Sequence, residues 1–504
     1  MIRLLSVRNA AAAAVFVVAA LTGCAVGPDF VRPEAPQTDD YTETALPAET
    51  AAAAGSDGAA QRFVVGRDIP GQWWSLFRSA PLERLIARAV AESPTLASVR
   101  AALRQAKENL RARTGTEYSP SLDANFSAGR QKISGIAFGQ PDLPNSIFSL
   151  FNASVNVSYA LDVFGGGRRE LEALRSQVDY QRYQLEGAYL ALTANIVTAA
   201  VKEGSLRARI RATQSILALQ EEQLGVVKRQ FELGGVARTD LLAQESQLAQ
   251  ARTTLPPLEK ELAQNRHLLA VLSGSPPGAA GLPDFDLDGL ELPRELPVSL
   301  PSALARQRPD IRAAEELLHA ASAQVGVATA NLYPQITLSG SFGSESGRIT
   351  DLFGSGTSLW SLGAGLLQPI FHGGELTAKR RAAIAAYDQA TAQYRSIVLQ
   401  SLQNVADVLR ALDDDARALK AQAEAEASAR ETFELTRQQF QFGAVTYLSL
   451  LNAERQYQQA QIALVEARAA RFADTAALFQ ALGGGWWNRP AEGGAAPDPA
   501  FVEK

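Results

Sequence analysis

Few residues of this 504-residue sequence have the type and spacing that covalent chemistry needs. His267, His319 and His372 lie far apart, so none has a partner at metal-ligand spacing, and no metal site is expected. Cys24 is the single cysteine, which excludes an intrachain disulfide framework and any thiolate metal cluster. No glycine-rich loop ends in Lys-Ser/Thr to cradle phosphates, and no nucleophile has an assigned base. The chain therefore reads as no enzyme and as needing no cofactor. What remains is polar chemistry without bond making. Leu448, Asn452 and Arg455 recur at i, i+4 and i+7, on one face of a helix. Two turns, Leu233 to Thr239 and Phe442 to Tyr447, carry glycine where a tight reversal wants it.

The elements that must position these residues come in pairs. Phe151, Ala153, Val155, Val157, Tyr159 and Leu161 alternate with polar residues, the period-two pattern of a strand with one greasy and one wet face. Phe164-Gly165-Gly166-Gly167 follows, and Arg168 to Phe231 then runs without proline at helical spacing. Roughly 64 residues at about 1.5 Å each make a helix of about 95 Å, far longer than a globular core needs. Trp360, Leu362, Ala364 and Leu366 form a second such strand. Phe371-His372-Gly373-Gly374 then opens a second run, Glu375 to Phe440, with neither glycine nor proline.

This is an internal repeat. Arg229-Gln230-Phe231-Glu232-Leu233-Gly234-Gly235-Val236 reads against Gln438-Gln439-Phe440-Gln441-Phe442-Gly443-Ala444-Val445, and Asp240-Leu241-Leu242 with Glu245 reads against Ser449-Leu450-Leu451 with Glu454. Each half reads helix, strand, strand, long helix, tight turn, helix. The expected organisation is a signal segment 1–23, an extended tether 24–71, a first repeat 72–300, a second repeat 301–487 and a flexible tail 488–504. Trp73 and Trp74 end the tether and are expected to dock it on the helical body.

The net charge of −5 becomes −7 once residues 1–23, which hold Arg3, Arg8 and no acid, are removed, so no nucleic-acid partner is expected. Ala10 to Leu21 is apolar behind those arginines, a secretion signal too short to span as a stable helix. It ends in Leu21-Thr22-Gly23-Cys24, which resembles the lipobox of bacterial lipoproteins, so Cys24 is the expected site of a covalent lipid that anchors the chain.

Leu122, Ala124, Phe126 and Ala128 alternate with polar residues, as do Ile336, Leu338 and Phe342. With the two strands above, that makes four segments of about ten residues, the pattern of an outer-membrane barrel with a wet lumen. Four strands cannot close, and open edges are forbidden in lipid, so protomers must share one barrel. On pattern alone, a soluble four-stranded sheet on a helical domain also fits. Gln131 to Ile147 and Ser344 to Ser358 are the expected extracellular connections.

Cys24-Ala25-Val26-Gly27-Pro28-Asp29-Phe30-Val31-Arg32-Pro33, the Gln72-Trp73-Trp74-Ser75-Leu76-Phe77 box, Phe371-His372-Gly373-Gly374, the two Phe-x-x-Gly turns and Ala481-Leu482-Gly483-Gly484-Gly485-Trp486 together resemble the lipoprotein branch of the TolC-like outer membrane factors. The resemblance spans about Cys24 to Trp487. It implies a mainly α, mixed α and β fold: a homotrimer whose protomers each give four strands to a twelve-stranded barrel and build a long periplasmic helical tunnel. It implies a passive exit duct for small molecules, working with an inner-membrane pump of the resistance-nodulation-division (RND) type and a periplasmic adaptor. Type I protein secretion and a non-channel structural lipoprotein are the alternatives. The turns at Gly234, Gly235, Val236 and at Gly443, Ala444, Val445 are the implied adaptor contacts. Leu448, Asn452 and Arg455 match a constriction usually made of Leu, Asp and Arg, and Thr239 with Asp240 match a polar latch between helices, with Arg455 the expected basic partner of Asp240. Asn452 replaces the family's acid.

Overall fold

The computed structural model describes residues 25–34, 38, 40–134, 139, 144–279 and 281–489. The signal segment, Cys24 and residues 490–504 of the expected tail lie outside the described residues. The chain packs as two compact units. Among the described residues, one takes 25–33, Ala102–Gln181 and Ala313–Arg395; the other takes Glu34–Ala101, Arg182–Arg312 and 396–489. Each unit thus draws on both repeats, so residue 300 marks a boundary of sequence and not of packing.

The first unit holds a four-stranded antiparallel sheet, β2 (Ser121–Ile133), β3 (Ser146–Leu161), β5 (Gln335–Ser346) and β6 (Ser358–Leu367), in that spatial order. Cross-strand partners share a face. Leu122, Val157, Gly340 and Leu362 form one row, and Ala124, Val155, Phe342 and Trp360 the next. The opposite face carries Asp123, Asn156, Ser341 and Ser361. The expected greasy and wet faces are therefore both present, and β2 and β6 end the sheet as edges. The ladders reach Ile133 with Ser146 and Phe151 with Ser346, so the strands are longer, and the connections shorter, than expected.

Residues 26–32 are fastened to this unit. Val26 donates its backbone N–H to Phe164 O at 3.0 Å, Arg169 Nη2 reaches Asp29 at 2.6 Å, and Arg32 pairs with Glu315. The Phe30 ring stacks on His319 at 4.2 Å. Hydrogen bonding to Glu316, with a further bond to Glu172 at 2.9 Å, outweighs burial and raises the His319 pKa.

Helices lead into and out of the sheet: α1 (Ala80–Glu92), α2 (Pro94–Tyr118), α3 (Gly166–Glu232), α4 (Arg238–Arg252), α5 (Leu255–Leu272), α6 (Pro301–Gln307), α7 (Pro309–Ala330), α8 (Glu375–Gln441) and α9 (Tyr447–Ala481). The long helices α3 and α8 have 67 residues each, about 100 Å of helix. The repeats differ on the return path. Pro256 and Pro257 open α5 and break the first return after Arg252, whereas α9 runs 35 residues without interruption.

In the second unit Trp73, Trp74 and Phe77 are buried with Ile196, Leu409, Phe472 and Phe479, and Trp73 stacks on Phe479 at 5.3 Å, as docking of the tether requires. The tether itself is less free than its composition suggests. Glu49 bridges Arg62, β1 (Arg62–Val65) pairs in parallel with β4 (Glu295–Val298), and Thr50 and Gln61 are buried. The start of the expected tail is pinned too. Asn488 Nδ2 donates to Asp68 Oδ2 and to Ile69 O, each at 2.7 Å, and Arg489 pairs with Glu186. Just before it Gly485 sits at φ 68°, where a Cβ would lie 2.5 Å from Ile69 O, so only glycine fits that crossing.

Candidate functional site

The two hairpin ends of the second unit are built alike. At the first, Gly234 takes φ 76°, its N–H reaches Phe231 O at 3.0 Å, and Gly235 N–H reaches Gln230 O at 2.7 Å. At the second, Gly443 takes φ 72°, its N–H reaches Phe440 O at 3.0 Å, and Ala444 N–H reaches Gln439 O at 2.9 Å. These bonds satisfy the last carbonyls of α3 and α8 while the left-handed glycine turns the chain back. Leu233 and Phe442, each 87% exposed, stand at the two tips, with Val236 and Val445 half-buried behind them.

The helices that leave the turns start differently. Asp240 Oδ2 accepts the Ala237 N–H at 3.1 Å, half of a capping box whose other half alanine cannot supply. In the second copy Thr446 caps α9, its hydroxyl 2.9 Å from that of Ser449 and accepting the Ser449 N–H. Ser449 is thus engaged in the cap.

The sequence placed Leu448, Asn452 and Arg455 on one face, and all three are exposed there, while Tyr447, Leu450, Leu451, Ala453 and Glu454 are buried behind them. Arg455 Nη2 donates to Asn452 Oδ1 at 2.5 Å, and its Nε to Leu451 O at 3.4 Å. Within the chain Asp240 and Arg455 do not pair: the acid is spent on the start of α4 and the guanidinium on its own helix. Thr239 is exposed beside Asp240.

Sequence reasoning missed the buried polar layer beneath this face. Glu454 and Gln244 are fully buried, and Gln220 is 1% exposed. The Tyr447 hydroxyl hydrogen-bonds Gln244 Oε1, and Gln244 Nε2 donates to Gln220 O at 3.3 Å, joining α9, α4 and α3. Burial pushes the Glu454 carboxyl up to about 7 despite the Gln220 and Gln223 carboxamides facing it. One signal was available. Tyr447, Leu450, Leu451 and Glu454 occupy i, i+3, i+4 and i+7, so Glu454 falls on the apolar stripe. Its repeat counterpart Glu245 instead pairs with Lys228 at 3.6 Å on the surface.

A four-stranded sheet with one greasy face and two open edges, joined to long helical hairpins that end in matched glycine turns, defines an outer-membrane channel. A family model described as outer membrane efflux protein matches residues 85–275 and 300–484, and the chain belongs to that family. It is 33% identical to the pyoverdine export outer membrane protein OpmQ of Pseudomonas aeruginosa over 82% of this chain and 87% of that one. It is 30% identical to the toluene efflux pump outer membrane protein TtgF of Pseudomonas putida over 93% and 95%. The solved structure of the outer-membrane channel OprN superposes with a TM-score of 0.81 at 27% identity, over 92% of this chain and all of that one.

The apolar rows therefore face lipid. Leu362, 81% exposed in the row with Leu122 and Val157, gives a direct check. Leu362→Arg is expected to cost about 2–4 kcal/mol of folding into bilayers, whereas Ser361→Arg on the wet face stays within about 1. Urea titration of folding into lipid vesicles separates the two.

Proposed function

We infer that the chain is the exit duct of a tripartite efflux system, a passive homotrimeric channel that receives small molecules from an inner-membrane RND-type pump through a periplasmic adaptor. Cys24 carries the lipid, and three protomers pair their β2 and β6 edges to close twelve strands, since each unpaired backbone group in lipid costs several kcal/mol. The observation that carries this reading is the pair of matched turns, each presenting an exposed apolar residue, Leu233 or Phe442, at the end of a long hairpin. Large apolar side chains exposed at equivalent places of both hairpins support docking of a partner there. The efflux and export systems named for TtgF and OpmQ support small molecules as cargo.

Val236→Asp combined with Val445→Asp is expected to abolish capture of the adaptor and at least about tenfold of export-dependent drug tolerance, because an unpaired charge in an apolar contact is strongly unfavourable. Trimer assembly and membrane insertion should be untouched. Full tolerance with the double variant at wild-type abundance would place adaptor docking elsewhere on the helices.

A further inference from the structure

The buried carboxyl of Glu454 has no role in the duct described so far. Its Oε1 accepts from Gln458 Nε2 at 2.9 Å, while its Oε2 is buried with no hydrogen-bond partner. The polar groups facing it from α3 are Gln220 and Gln223, whose own Oε1 atoms are also buried and accept nothing. The unpaired groups of this layer are three acceptors, Glu454 Oε2 and the two carboxamide oxygens, against one donor group, Gln223 Nε2, so acceptors outnumber donors. A proton on Oε2 supplies a further donor. Tyr447 on α9 faces both Glu454 and Asp240 of α4. No cation acts on the Glu454 carboxyl, and two nearby ones are engaged elsewhere, Lys228 with Glu245 at 3.6 Å and Arg455 with Asn452 at 2.5 Å. A cleft of about 90 Å³, lined by Gln223, Val227, Tyr447 and Leu450, brings solvent to the edge of the layer.

We propose that Glu454 is a proton-binding site that locks α9 onto α3 behind the Leu448, Asn452 and Arg455 face, and that loss of its proton loosens this end of the hairpins. Its effect on flow rests on reading that face as the constriction that gates the duct; the proton and the packing do not. Burial raises this acid from 4.5 to about 7. The packing is therefore strongest with the proton on, weakens as pH climbs from about 4.5 to about 7, and levels off above, where folded and unfolded states are both ionised. The channel end is held tighter in an acidified periplasm.

Glu454→Gln keeps the shape and the donor but cannot titrate. In infrared titration of the purified trimer, wild type minus variant should show a protonated-carboxyl band lost with a midpoint of about 7. The subtraction is needed because Asp415, buried against Asp474, also rises to about 7. Amide exchange in α3 and α9 near this layer, corrected for intrinsic rates, should quicken about threefold or more as pH climbs from about 4.5 to about 7 in wild type, level off above, and stay slow throughout in Glu454→Gln. Resting conductance in planar bilayers should follow the same profile. Absence of the difference band, or the same pH profile of exchange in both proteins, overturns the proposal. If exchange follows the Glu454 proton but conductance ignores it, and Asp240→Ala with Leu448→Ala also stays closed, the proton site stands and the gate reading fails.

Discussion

Arg471→Met should be among the most damaging single substitutions in the helical body, destabilising it by about 3–5 kcal/mol. The guanidinium is fully buried on α9. Its Nε donates to Gln61 Oε1 at 3.2 Å, Nη1 to Asp57 O at 2.9 Å, and Nη2 to Ala59 O at 2.6 Å and Thr50 Oγ1 at 3.2 Å. Burial lowers its pKa, opposed by the Asp57 and Asp415 charges. One planar fork thus fixes the chain from Thr50 to Gln61 against α9. Methionine fills much of the volume and satisfies none of these acceptors, each costing about 1–3 kcal/mol when left buried and unmade. Arg471→Lys should recover little, because a point charge with three donors cannot reproduce the fork. Thermal unfolding in detergent reads the loss, and new protease sites between Glu49 and Arg62 should appear well below the wild-type midpoint. Unchanged protease resistance would mean that β1 pairing alone holds this segment.

Asp240→Ala combined with Leu448→Ala should raise resting conductance more than tenfold and sensitise cells to vancomycin. Losing the carboxylate that accepts Ala237 N–H costs the start of α4 about 0.5–2 kcal/mol, by analogy with helix caps. Removing the leucine that the gate reading sets against its copies costs about 1.5–3 kcal/mol. Each 1.4 kcal/mol shifts the closed and open states tenfold. Tyr447, next to Leu448, faces Asp240, so the two sites share a neighbour and their effects should couple. Asn452→Asp should increase cation preference without opening the pore, because it puts a charge beside Arg455 and leaves both contacts in place. Bilayer recordings in which the double variant conducts no better than wild type would locate the seal elsewhere along α3 and α8.

Much of this architecture was legible without coordinates. Alternation along β2, β3, β5 and β6 follows from a pleat with a period of two, and the glycines of the two turns follow from the positive φ that a helix reversal needs; both depend on near neighbours in the chain. The repeat made the second hairpin readable from the first, and the exposed face of Leu448, Asn452 and Arg455 follows from helical spacing alone. What lay outside the sequence were properties that depend on which long helices meet. Asp240 and Arg455 suggested a pair by charge, yet each is held by groups within four residues of itself, a local competition the tertiary structure settled. Glu245 and Glu454 occupy equivalent positions of the repeat. One meets a lysine on the surface and the other is enclosed by α3, because burial is set by partners more than 200 residues away. The segment from Thr50 to Gln61 reads as a loose tether by composition. It is ordered by one arginine more than 400 residues along the chain, a contact that no local period or propensity encodes.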